Sequence, residues 1–365
     1  MSGSIFGTNL KMSTWGESHG AALGAVLDGF PAGMELSEED IQIFLDRRKP
    51  GSSSITTPRK EDDKVEILSG IFEGKTTGTP ISMLVRNTSQ RSGDYSEIAS
   101  YYRPGHADFG FDSKYGFRDY RGGGRSSGRE TIGRVASGAI CSKLLSEMGI
   151  EVYAYTKSIG DVEIDYDSFN KEDILKTITA MPDKKADEKA VALIEQCKKE
   201  GDSIGGVIEC VIKGVPAGIG EPVFDKLDAL LSHAVMSIGA VKAVEIGDGI
   251  KASKAKGSEN NDAFTNVNGT ISKATNHSGG ILGGISDGRD IVIRAHVKPT
   301  PSISSTQKTV NKDMEEIDIN IKGRHDPVVV PRAVVVVEAM CAFTVLDLMI
   351  SNMHAKAQNI IDFYK

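Results

Sequence analysis

The sequence predicts an α+β protein of 365 residues that is built from two similar halves. Its content of 39% hydrophobic and 25% charged residues is typical of a globular protein with a large core. Strand-like runs and amphipathic helical runs both occur. Three short patterns also recur in the same order along the chain. They are Gly-Phe-Pro-Ala-Gly at 29–33 and Gly-Val-Pro-Ala-Gly at 214–218, Val-Glu-Ile with Gly-Ile at 65–71 and at 244–250, and an arginine that opens an apolar helix at 134 and at 332.

These recurring patterns predict an internal duplication within one domain over residues 1–365. The halves cover about residues 1–150 and 205–350, and the charged segment 156–203 between them is expected to be a peripheral insertion. Chance similarity of Gly-Pro turns is the alternative explanation. Superposing the two halves distinguishes the explanations, because a duplication requires the same topology in both.

The predicted elements follow from local patterns. Ser37 and Asp40 have the spacing of a capping box, and apolar residues then follow at helical spacing. A second helix is predicted over 129–148. The strand-like run at 206–213 lacks strict alternation, so some strands are expected to be covered on both faces. The other strand-like runs lie at 65–68, 81–85, 290–297 and 317–321.

Charge and cysteine content limit the partners of the protein. The formal net charge is −7, so we expect neither nucleic acid nor a membrane surface as a partner. No apolar run approaches the ~20 residues of a membrane span. The first residues do not resemble a secretion signal. The four cysteines are scattered without a CxxC pair, which favours reduced thiols in a cytoplasmic protein.

The densest group of functional residue types lies at 116–134. It contains five arginines and six glycines around the start of the helix predicted at 129–148. Glycine-rich backbone before a helix exposes N–H groups to an anion, and guanidinium groups bind phosphate and carboxylate. In an acidic protein, this local positive charge predicts a site for a small polyanion. The arginines are Arg118, Arg121, Arg125, Arg129 and Arg134, and Arg47, Arg48 and Lys49 are expected to add to them.

Two structural explanations remain open for this segment. The arginines could instead form surface ion pairs with the nearby acids Asp108, Asp112, Asp119 and Glu130. Ser127 and Glu130 have the spacing of a capping box, so Ser127 is a helix cap, a catalytic group, or both.

Three histidines lie in polar, glycine-flanked loops, at positions 19, 106 and 325. Imidazole titrates near neutral pH, which suits His19 and His106 to proton transfer. A purely structural role is the alternative for each of them. His233 and His354 lie on predicted helices and are expected to be structural.

Three other kinds of site are alternatives to a catalytic polyanion site. The segments 16–20 and 124–128 both match the G-x-S-x-G elbow of serine hydrolases, but the first comes too early in the chain and the second lacks a preceding apolar strand. A metal site at His19, His106 and neighbouring carboxylates lacks the helical ligand spacing and would face the arginines, so no metal is expected. A non-catalytic anion-binding module is disfavoured because His106 lies close to the arginines.

Six longer motifs make the sequence similar to the chorismate synthase family over residues 4–350. No single motif is specific, but together they identify the chain as a member. The resemblance implies a β-α-β sandwich, in which central helices lie between two antiparallel sheets, with an internal pseudo-twofold repeat. The motifs lie at 16–20, 47–51, 102–108, 116–136, 298–302 and 323–340.

The resemblance also implies the reaction. Family members are lyases of the shikimate pathway of aromatic amino acid biosynthesis, which convert 5-enolpyruvylshikimate 3-phosphate into chorismate and phosphate. This anti-1,4-elimination requires reduced FMN (FMNH2) although it has no net redox change. The substrate carries a phosphate and two carboxylates, which matches the small polyanion that the arginines predict. Another flavin-dependent enzyme acting on a phosphorylated carboxylate is the alternative.

Catalytic roles carry over from the family to five residues. His106 resembles the histidine that protonates the departing phosphate, and His19 the histidine that protonates the reduced flavin. Ser18 and Ser127 resemble relay hydroxyls. Asp326 resembles the carboxylate that works with flavin N5 to take up the C6 proton. A turn residue before a proline is the alternative for Asp326.

Ligand contacts carry over in the same way. Substrate or nucleotide phosphate contacts are expected from Arg48, Arg129, Arg134 and Arg332, and the long loop 251–280 is expected to close over the site. The expected flavin contacts are Arg125, Ser126, Ser127, Gly239, Ala240, Gly283, Lys298, Pro299, Thr300, Pro301, Ser302 and Arg324.

Three positions depart from the family pattern. Ser54 stands where relatives often have a basic residue, which disfavours direct NADPH binding. Gly239 replaces a frequent Asn and Pro301 a frequent Ser, and both changes are expected to lower flavin affinity. The resemblance therefore implies an external flavin reductase with NADPH as an indirect reductant, and a homotetramer.

Overall fold

The described strands and helices build two large sheets, with helices between them. The computed structural model describes residues 3–49, 62–87, 97–321 and 326–365. The strands are β1 (Ile5–Phe6), β2 (Lys11–Gly16), β3 (Ala22–Asp28), β4 (Val65–Ile67), β5 (Ile71–Phe72), β6 (Lys75–Thr76), β7 (Ile81–Arg86), β8 (Glu151–Ile159), β9 (Val162–Glu163), β10 (Gly206–Lys213), β11 (Val241–Ile246), β12 (Phe264–Val267), β13 (Thr270–Lys273), β14 (Ile281–Leu282), β15 (Ile285–Ser286), β16 (Ile291–Val297), β17 (Gln307–Val310) and β18 (Glu316–Ile319). The helices are α1 (Glu38–Arg48), α2 (Asp108–Tyr115), α3 (Thr131–Glu147), α4 (Lys184–Lys199), α5 (Leu227–Met236), α6 (Gly257–Asn260), α7 (Val330–Asn352) and α8 (Ala357–Tyr364).

Two five-stranded antiparallel sheets form the outer layers. The first has the strand order β1-β2-β3-β7-β4, and the second has the order β11-β16-β10-β8-β9. Alternating apolar side chains turn one face of each sheet inwards. On β3, for example, Leu23, Ala25 and Leu27 are buried on this face.

The helices α1, α3, α5 and α7 form the layer between the sheets. Helix α3 packs on β3, helix α7 packs on β8 and β10, and the two helices contact each other. One cluster of buried apolar side chains joins these helices to both sheets. This arrangement confirms the predicted α+β class and the β-α-β sandwich.

The two sheets use their elements in the same order. The series β3, α1, β4, hairpin β5-β6 and β7 has its counterpart in β10, α5, β11, hairpin β14-β15 and β16. Each series leads to a long core helix, α3 or α7. This shared order supports the predicted duplication.

Two details differ from the predicted duplication. Residues 70–71 correspond to 280–281, because both open a hairpin that precedes β7 or β16; residues 249–250 begin a 3₁₀ helix instead. The second sheet also includes β8, so residues 156–159 of the predicted peripheral insertion belong to a strand that lies between β10 and β9. The sequence pattern did not reveal either the correspondence of 70–71 with 280–281 or the place of β8 in the second sheet. Long segments separate β8 from β10 and β11 from β14.

Helix α7 is a longer apolar segment than the sequence analysis expects. Its 23 residues are long and apolar enough to span a membrane, and its most apolar window has a mean hydropathy of 2.2. However, 89% of that window is buried inside the protein. Pro331 and Arg332, which divide the apolar run in the sequence, lie in the first helical turn and leave the rest uninterrupted. The segment is therefore the central core helix of the sandwich.

The segment 251–280 is an ordered part of the fold. It contains hairpin β12-β13, and the side chain of Lys273 is buried between Asp262 at 3.0 Å and Asp287 at 2.6 Å. Backbone N–H groups of His277 and Ser278 also donate to Asp262. None of its residues lines the cavity described below. The expected closure of this loop over the site is therefore not seen.

Helix α3 meets helix α7 closely at Gly138, where an added Cβ would overlap the backbone of Ala339. We expect Gly138→Ala to lower the free energy of unfolding by about 1–3 kcal/mol, because the two helices must move apart. Urea unfolding followed by circular dichroism measures this change. Gly110→Ala in α2 is the matched control, since a Cβ there meets nothing within 4 Å and alanine favours the helix. Equal unfolding midpoints for Gly138→Ala and the parent protein would contradict the close approach.

Candidate active site

A cavity of about 1390 Å³ is lined by residues from both halves of the chain. Its wall carries eight Lys or Arg side chains and two carboxylates, those of Glu130 and Asp326. In a protein with a net charge of −7, the cavity concentrates positive charge in one place. The predicted site residues in its wall are His19, Arg48, His106, Arg125, Ser126, Ser127, Arg134, Gly239, Ala240, Lys298, Thr300, Pro301, Ser302, Asp326 and Arg332.

Four predicted site residues among the described ones do not line this wall. Ser18 lies directly behind the wall, and Pro299 lies between two lining residues of its own segment. Arg129 is buried beneath the cavity surface. Gly283 is exposed in the turn of hairpin β14-β15. Arg324 lies outside the described residues.

Ion pairs fix the loop that carries His106. Asp108, the first residue of α2, accepts hydrogen bonds from Arg103 Nε at 2.8 Å and Nη2 at 2.7 Å. Arg118 Nη1 lies 3.0 Å from the same carboxylate. Gly105 adopts a φ of 68°, which lets the chain turn sharply between Arg103 and His106. The loop is therefore rigid on the side of α2.

Both ring nitrogens of His106 have hydrogen-bond partners. Nδ1 lies 3.0 Å from Pro104 O, and Nε2 lies 2.9 Å from Ser302 Oγ. A carbonyl oxygen only accepts hydrogen bonds, so Nδ1 carries the proton in the neutral ring. Lys298 Nζ donates to Gly105 O at 2.8 Å, which connects the predicted flavin segment to the same loop.

The imidazole of His106 is neutral at pH 7 in the ligand-free protein. Burial and the positive charge of Arg103 lower the pKa of His106 to about 4, against the opposing effects of Pro104 O and Asp108. The family resemblance assigns this residue to protonating a phosphate, which requires the charged ring. An anion bound beside His106 would favour that charged form.

A glycine in the Arg-Gly loop places this loop against His19. Ser18 Oγ lies 3.1 Å from His19 Nδ1 and 3.4 Å from Arg121 O. Gly122 has a φ of 65°, and a Cβ at this position would overlap the His19 ring. Only glycine permits this approach, so the loop holds the His19–Ser18 pair at the cavity wall.

Asp326 lies in the wall as a member of an ion pair with Arg332. Arg332 also donates from Nε to Arg48 O at 3.1 Å, which ties the first turn of α7 to the end of α1. A carboxylate in the cavity wall is a group that can accept a proton.

A fully buried carboxylate, that of Asp63, holds two of the predicted arginines. It forms an ion pair with Arg48 and lies 3.1 Å from Arg129 Nη1. Burial lowers the pKa of Arg48 to about 10, despite Asp63, and the charges of Arg332 and Arg129 add to this effect. Asp63 has a φ of 44°, a conformation that Asn and Asp adopt more readily than other side chains.

We expect Asp63→Asn to destabilise the fold by about 3–5 kcal/mol, because two buried guanidinium groups lose their shared carboxylate. Asn retains the shape and tolerates the left-handed backbone, so the substitution isolates the charge. Thermal unfolding at pH 7 measures the loss, with the exposed Asp62→Asn as control. Burial raises the pKa of Asp63, but the charges of Arg48 and Arg129 outweigh it and hold the pKa below its ordinary value. The contribution of the ionised Asp63 to the stability of the fold is therefore present above a pH of about 4 and lost on acidification. A melting temperature equal to that of the parent protein would contradict this role.

The arginine cluster divides between the cavity and structural ion pairs. Arg125 Nη2 donates to Thr14 Oγ1 at 2.7 Å, and Arg134 Nη1 donates to Ser237 Oγ at 2.6 Å. Both of these arginines line the cavity. Arg121 pairs with Asp119 at 2.8 Å instead, and Arg118 is buried on the carboxylates of α2. Arg134 Nε also pairs with Glu130 at 2.8 Å. The ion-pair explanation therefore holds for Arg118, Arg121 and Arg134, and Arg134 lines the cavity as well.

Ser127 lies at a helix cap and in the cavity wall, whereas Arg47 lies in a buried ion pair. Ser127 Oγ accepts a hydrogen bond from Arg129 N at 3.4 Å, which caps a short 3₁₀ turn before α3. Ser127 also lines the cavity, so a cap and a site residue coincide. Arg47, expected to add to the anion site, pairs with Glu338 of the core at 2.7 Å. It is absent from the cavity wall because its charge is needed to neutralise this buried carboxylate.

The serine hydrolase elbow and the metal site find no support in the described part of the chain. Residues 16–20 form the turn between antiparallel strands β2 and β3, and residues 124–128 lie in 3₁₀ turns with no strand before them. Neither segment forms the strand–turn–helix of a nucleophile elbow. Among the described residues, no group of three His, Cys, Asp or Glu side chains could hold a metal ion.

Several residues of the cavity wall were not expected from the sequence. His233, expected to be structural, lies in the wall and contacts the Phe6 ring at a centroid distance of 5.4 Å. Lys114 of α2 and Lys242 of β11 add positive charge. Lys242 lies close in the chain to Gly239 and Ala240, two expected flavin contacts. The other positions depend on packing between distant segments.

Comparisons with known proteins agree on one family. The sequence profile described as chorismate synthase matches residues 10–350. The chorismate synthase of Agathobacter rectalis is 64% identical over 365 residues, which is 100% of both chains. That of Methanocella arvoryzae is 54% identical over 355 residues, which is 96% of this chain and 95% of the relative. A crystal structure of chorismate synthase matches with a TM-score of 0.78 and 33% identity over 98% of each chain. The chain therefore belongs to the chorismate synthase family of shikimate-pathway lyases.

Proposed function

We propose that the chain converts 5-enolpyruvylshikimate 3-phosphate into chorismate and phosphate by an anti-1,4-elimination, with reduced FMN as cofactor. The observation that carries this proposal is one cavity that combines eight cationic side chains with His19, His106 and Asp326. The cations suit a phosphate and two carboxylates, and the other three groups suit proton transfer. The volume of about 1390 Å³ exceeds the usual range for one ligand, about 300–1,000 Å³, which favours two ligands together.

The segment predicted to contact the flavin has features of a ligand site. Thr300 Oγ1 is buried in the cavity wall and has no hydrogen-bond partner among the described residues. Ala240 has a φ of 73°, which is strained for alanine, and its carbonyl accepts a hydrogen bond from Lys298 N at 2.9 Å. An orphaned polar atom and a strained backbone in one wall fit a bound cofactor. Reduced FMN held there would supply electron density that assists the loss of phosphate.

The two departures in this region have different consequences. A Cβ at Gly239 would meet nothing within 4 Å, so glycine leaves space that a larger side chain would occupy. Pro301 packs against Gly105 and so supports the loop of His106, although it removes a backbone N–H. We expect weaker flavin binding from these changes and the same chemistry.

Arginines of the wall bind the anionic groups of the substrate in this proposal. Arg48, Arg134 and Arg332 line the cavity directly. Arg129 lies behind them on Asp63, so it adds positive potential without lining the cavity. Guanidinium groups that are already fixed by hydrogen bonds lose little entropy when an anion binds.

Proton transfer is divided among groups with different environments. His106 becomes charged when the anionic substrate binds and then gives its proton to the leaving phosphate. Asp326, which is paired with Arg332, accepts the proton that leaves carbon. His19 and Ser18 hold a further exchangeable proton at the wall, with Ser127 as a second relay hydroxyl. An acid and a base thus act in one cavity at one pH.

The cellular setting belongs to the same proposal. An external flavin reductase, with NADPH as an indirect reductant, keeps FMN reduced; Ser54, which bears on direct NADPH binding, lies outside the described residues. We also propose a homotetrameric, cytoplasmic enzyme, as the family resemblance implies. The net charge of −7 supports the expectation that neither nucleic acid nor a membrane is a partner.

Product analysis tests the proposed reaction. The protein is incubated anaerobically with 5-enolpyruvylshikimate 3-phosphate and dithionite-reduced FMN, and phosphate and chorismate are measured in the same sample. We expect equal amounts of both products with reduced FMN and neither with oxidised FMN. Phosphate without chorismate, or equal rates with oxidised FMN, would contradict the proposal.

A further inference from the structure

The segment at 298–302 supports the loop of His106 as well as the predicted flavin site. Lys298 Nζ donates to Gly105 O at 2.8 Å, and Ser302 Oγ lies 2.9 Å from His106 Nε2. The segment is anchored on both sides, because Lys298 N donates to Ala240 O and Ser304 N donates to Gly201 O, each at 2.9 Å. The Ser302 hydroxyl is therefore held at the imidazole by rigid backbone.

The imidazole exchanges its proton at one nitrogen. Nδ1 faces Pro104 O at 3.0 Å and keeps its hydrogen in both the neutral and the charged ring. A proton gained or lost by His106 is therefore located at Nε2, where it meets the Ser302 hydroxyl. Ser302 is only 9% exposed. A hydroxyl can donate to the neutral nitrogen and accept from the protonated one, so it suits both states.

We propose that Ser302 relays the proton from His106 to the leaving phosphate. This inference rests on the proposed function. In the step, the Nε2–H bond of the charged imidazole breaks and an O–H bond forms at Ser302 Oγ, while the proton already on Oγ passes to a phosphate oxygen. One proton thus moves from imidazolium to phosphate, the imidazole becomes neutral, and the hydroxyl is restored. No other reactant is needed.

A double-mutant cycle tests whether the two residues act in one path. Single-turnover phosphate release with reduced FMN is measured for the parent protein, Ser302→Ala, His106→Asn and the double variant. We expect Ser302→Ala to lower the rate at least about 10-fold and His106→Asn about 10²- to 10⁴-fold. The rate of the double variant should then be within about 3-fold of the rate of His106→Asn. Once His106 is replaced, no proton reaches Ser302, so the loss of its hydroxyl has little further effect.

Matched variants separate the relay from flavin binding. Ser304→Ala is the control, since this exposed serine lies in the same segment and outside the cavity wall. The dissociation constant for FMN is measured in parallel and all rates are compared at saturating FMN, because Ser302 is also an expected flavin contact. Ser302→Thr restores a hydroxyl and should recover part of the rate that Ser302→Ala loses.

A second measurement uses the flavin-free protein and needs no activity. Diethyl pyrocarbonate labels unprotonated imidazole nitrogens, and mass spectrometry gives the labelling rate of each histidine. We expect His106 to react faster in Ser302→Ala than in the parent protein or Ser304→Ala, because the hydroxyl no longer covers Nε2. His277, whose Nδ1 bonds to Asp248 at 2.6 Å away from the cavity, is the internal reference.

The outcomes distinguish this inference from the proposed function. Three results would overturn the relay. They are fold-losses in rate that multiply in the double variant, a Ser302→Ala rate within about 2-fold of that of the parent protein, and unchanged labelling of His106. If the parent protein releases no phosphate, the proposed function fails instead. The labelling experiment then still decides whether Ser302 covers His106.

Discussion

Replacement of His106 by Asn is expected to lower the rate of phosphate release about 10²- to 10⁴-fold, the range for a lost general acid. Asn can still hydrogen-bond to Pro104 O or Ser302, but its amide is neither an acid nor a base near neutral pH. Since the ring is neutral in the ligand-free protein, the substitution removes no charge before binding. Substrate and flavin affinity should therefore change much less than the rate, and stopped-flow phosphate detection under anaerobic conditions measures the difference.

The same residue predicts proton uptake when the substrate binds. Its pKa of about 4 leaves the imidazole neutral at pH 7, whereas the proposed transfer of a proton to the phosphate requires the charged form. Calorimetry in two buffers of different ionisation enthalpy should show uptake of about one proton per site at pH 7. Affinity should therefore weaken as pH rises. His106→Asn should abolish the uptake and His277→Asn should retain it; uptake close to zero in the parent protein would refute the role of His106 as the acid.

Replacement of Asp326 by Asn is expected to lower kcat by about 10²- to 10⁴-fold, because the amide cannot accept the proton that leaves carbon. The substitution also releases Arg332 from its ion pair. A guanidinium without its carboxylate attracts the anionic substrate more strongly, so KM should stay constant or fall. A lower kcat without a higher KM distinguishes loss of a base from loss of a binding group.

The control for this prediction is Asp313→Asn, at an exposed position in the turn between β17 and β18. Its kinetics should equal those of the parent protein. Steady-state phosphate release at several substrate concentrations gives kcat and KM for each variant. If Asp326→Asn keeps kcat within about 3-fold while KM rises, Asp326 serves binding alone and another group takes the proton.

Local patterns in the sequence predicted much of the cavity. The Arg-Gly segment and the loops of His19 and His106 carry glycines that must adopt positive φ, and such positions are visible as motifs. The strands at 65–68, 81–85, 206–213 and 290–297 were also predicted, close to β4, β7, β10 and β16. These features depend on residues that are near each other in the chain.

Long-range pairing explains what the sequence did not reveal. Nothing local indicates that Asp63 lies between Arg48 and Arg129, or that Arg47 reaches Glu338 of helix α7. The partner of His106 Nε2 is Ser302, which is 196 positions away. Such contacts arise when two sheets close over the helices, and only the assembled fold shows which arginines face the cavity.

Catalysis without net consumption of flavin is the central claim, and counting turnovers per flavin tests it most directly. The protein is supplied anaerobically with a limiting amount of reduced FMN and excess 5-enolpyruvylshikimate 3-phosphate, while chorismate and the flavin absorbance are followed together. We predict many chorismate molecules per FMN, with the flavin still reduced at the end. Product that stops at one molecule per flavin, with the flavin oxidised, would contradict an elimination and indicate another flavin-dependent enzyme acting on a phosphorylated carboxylate.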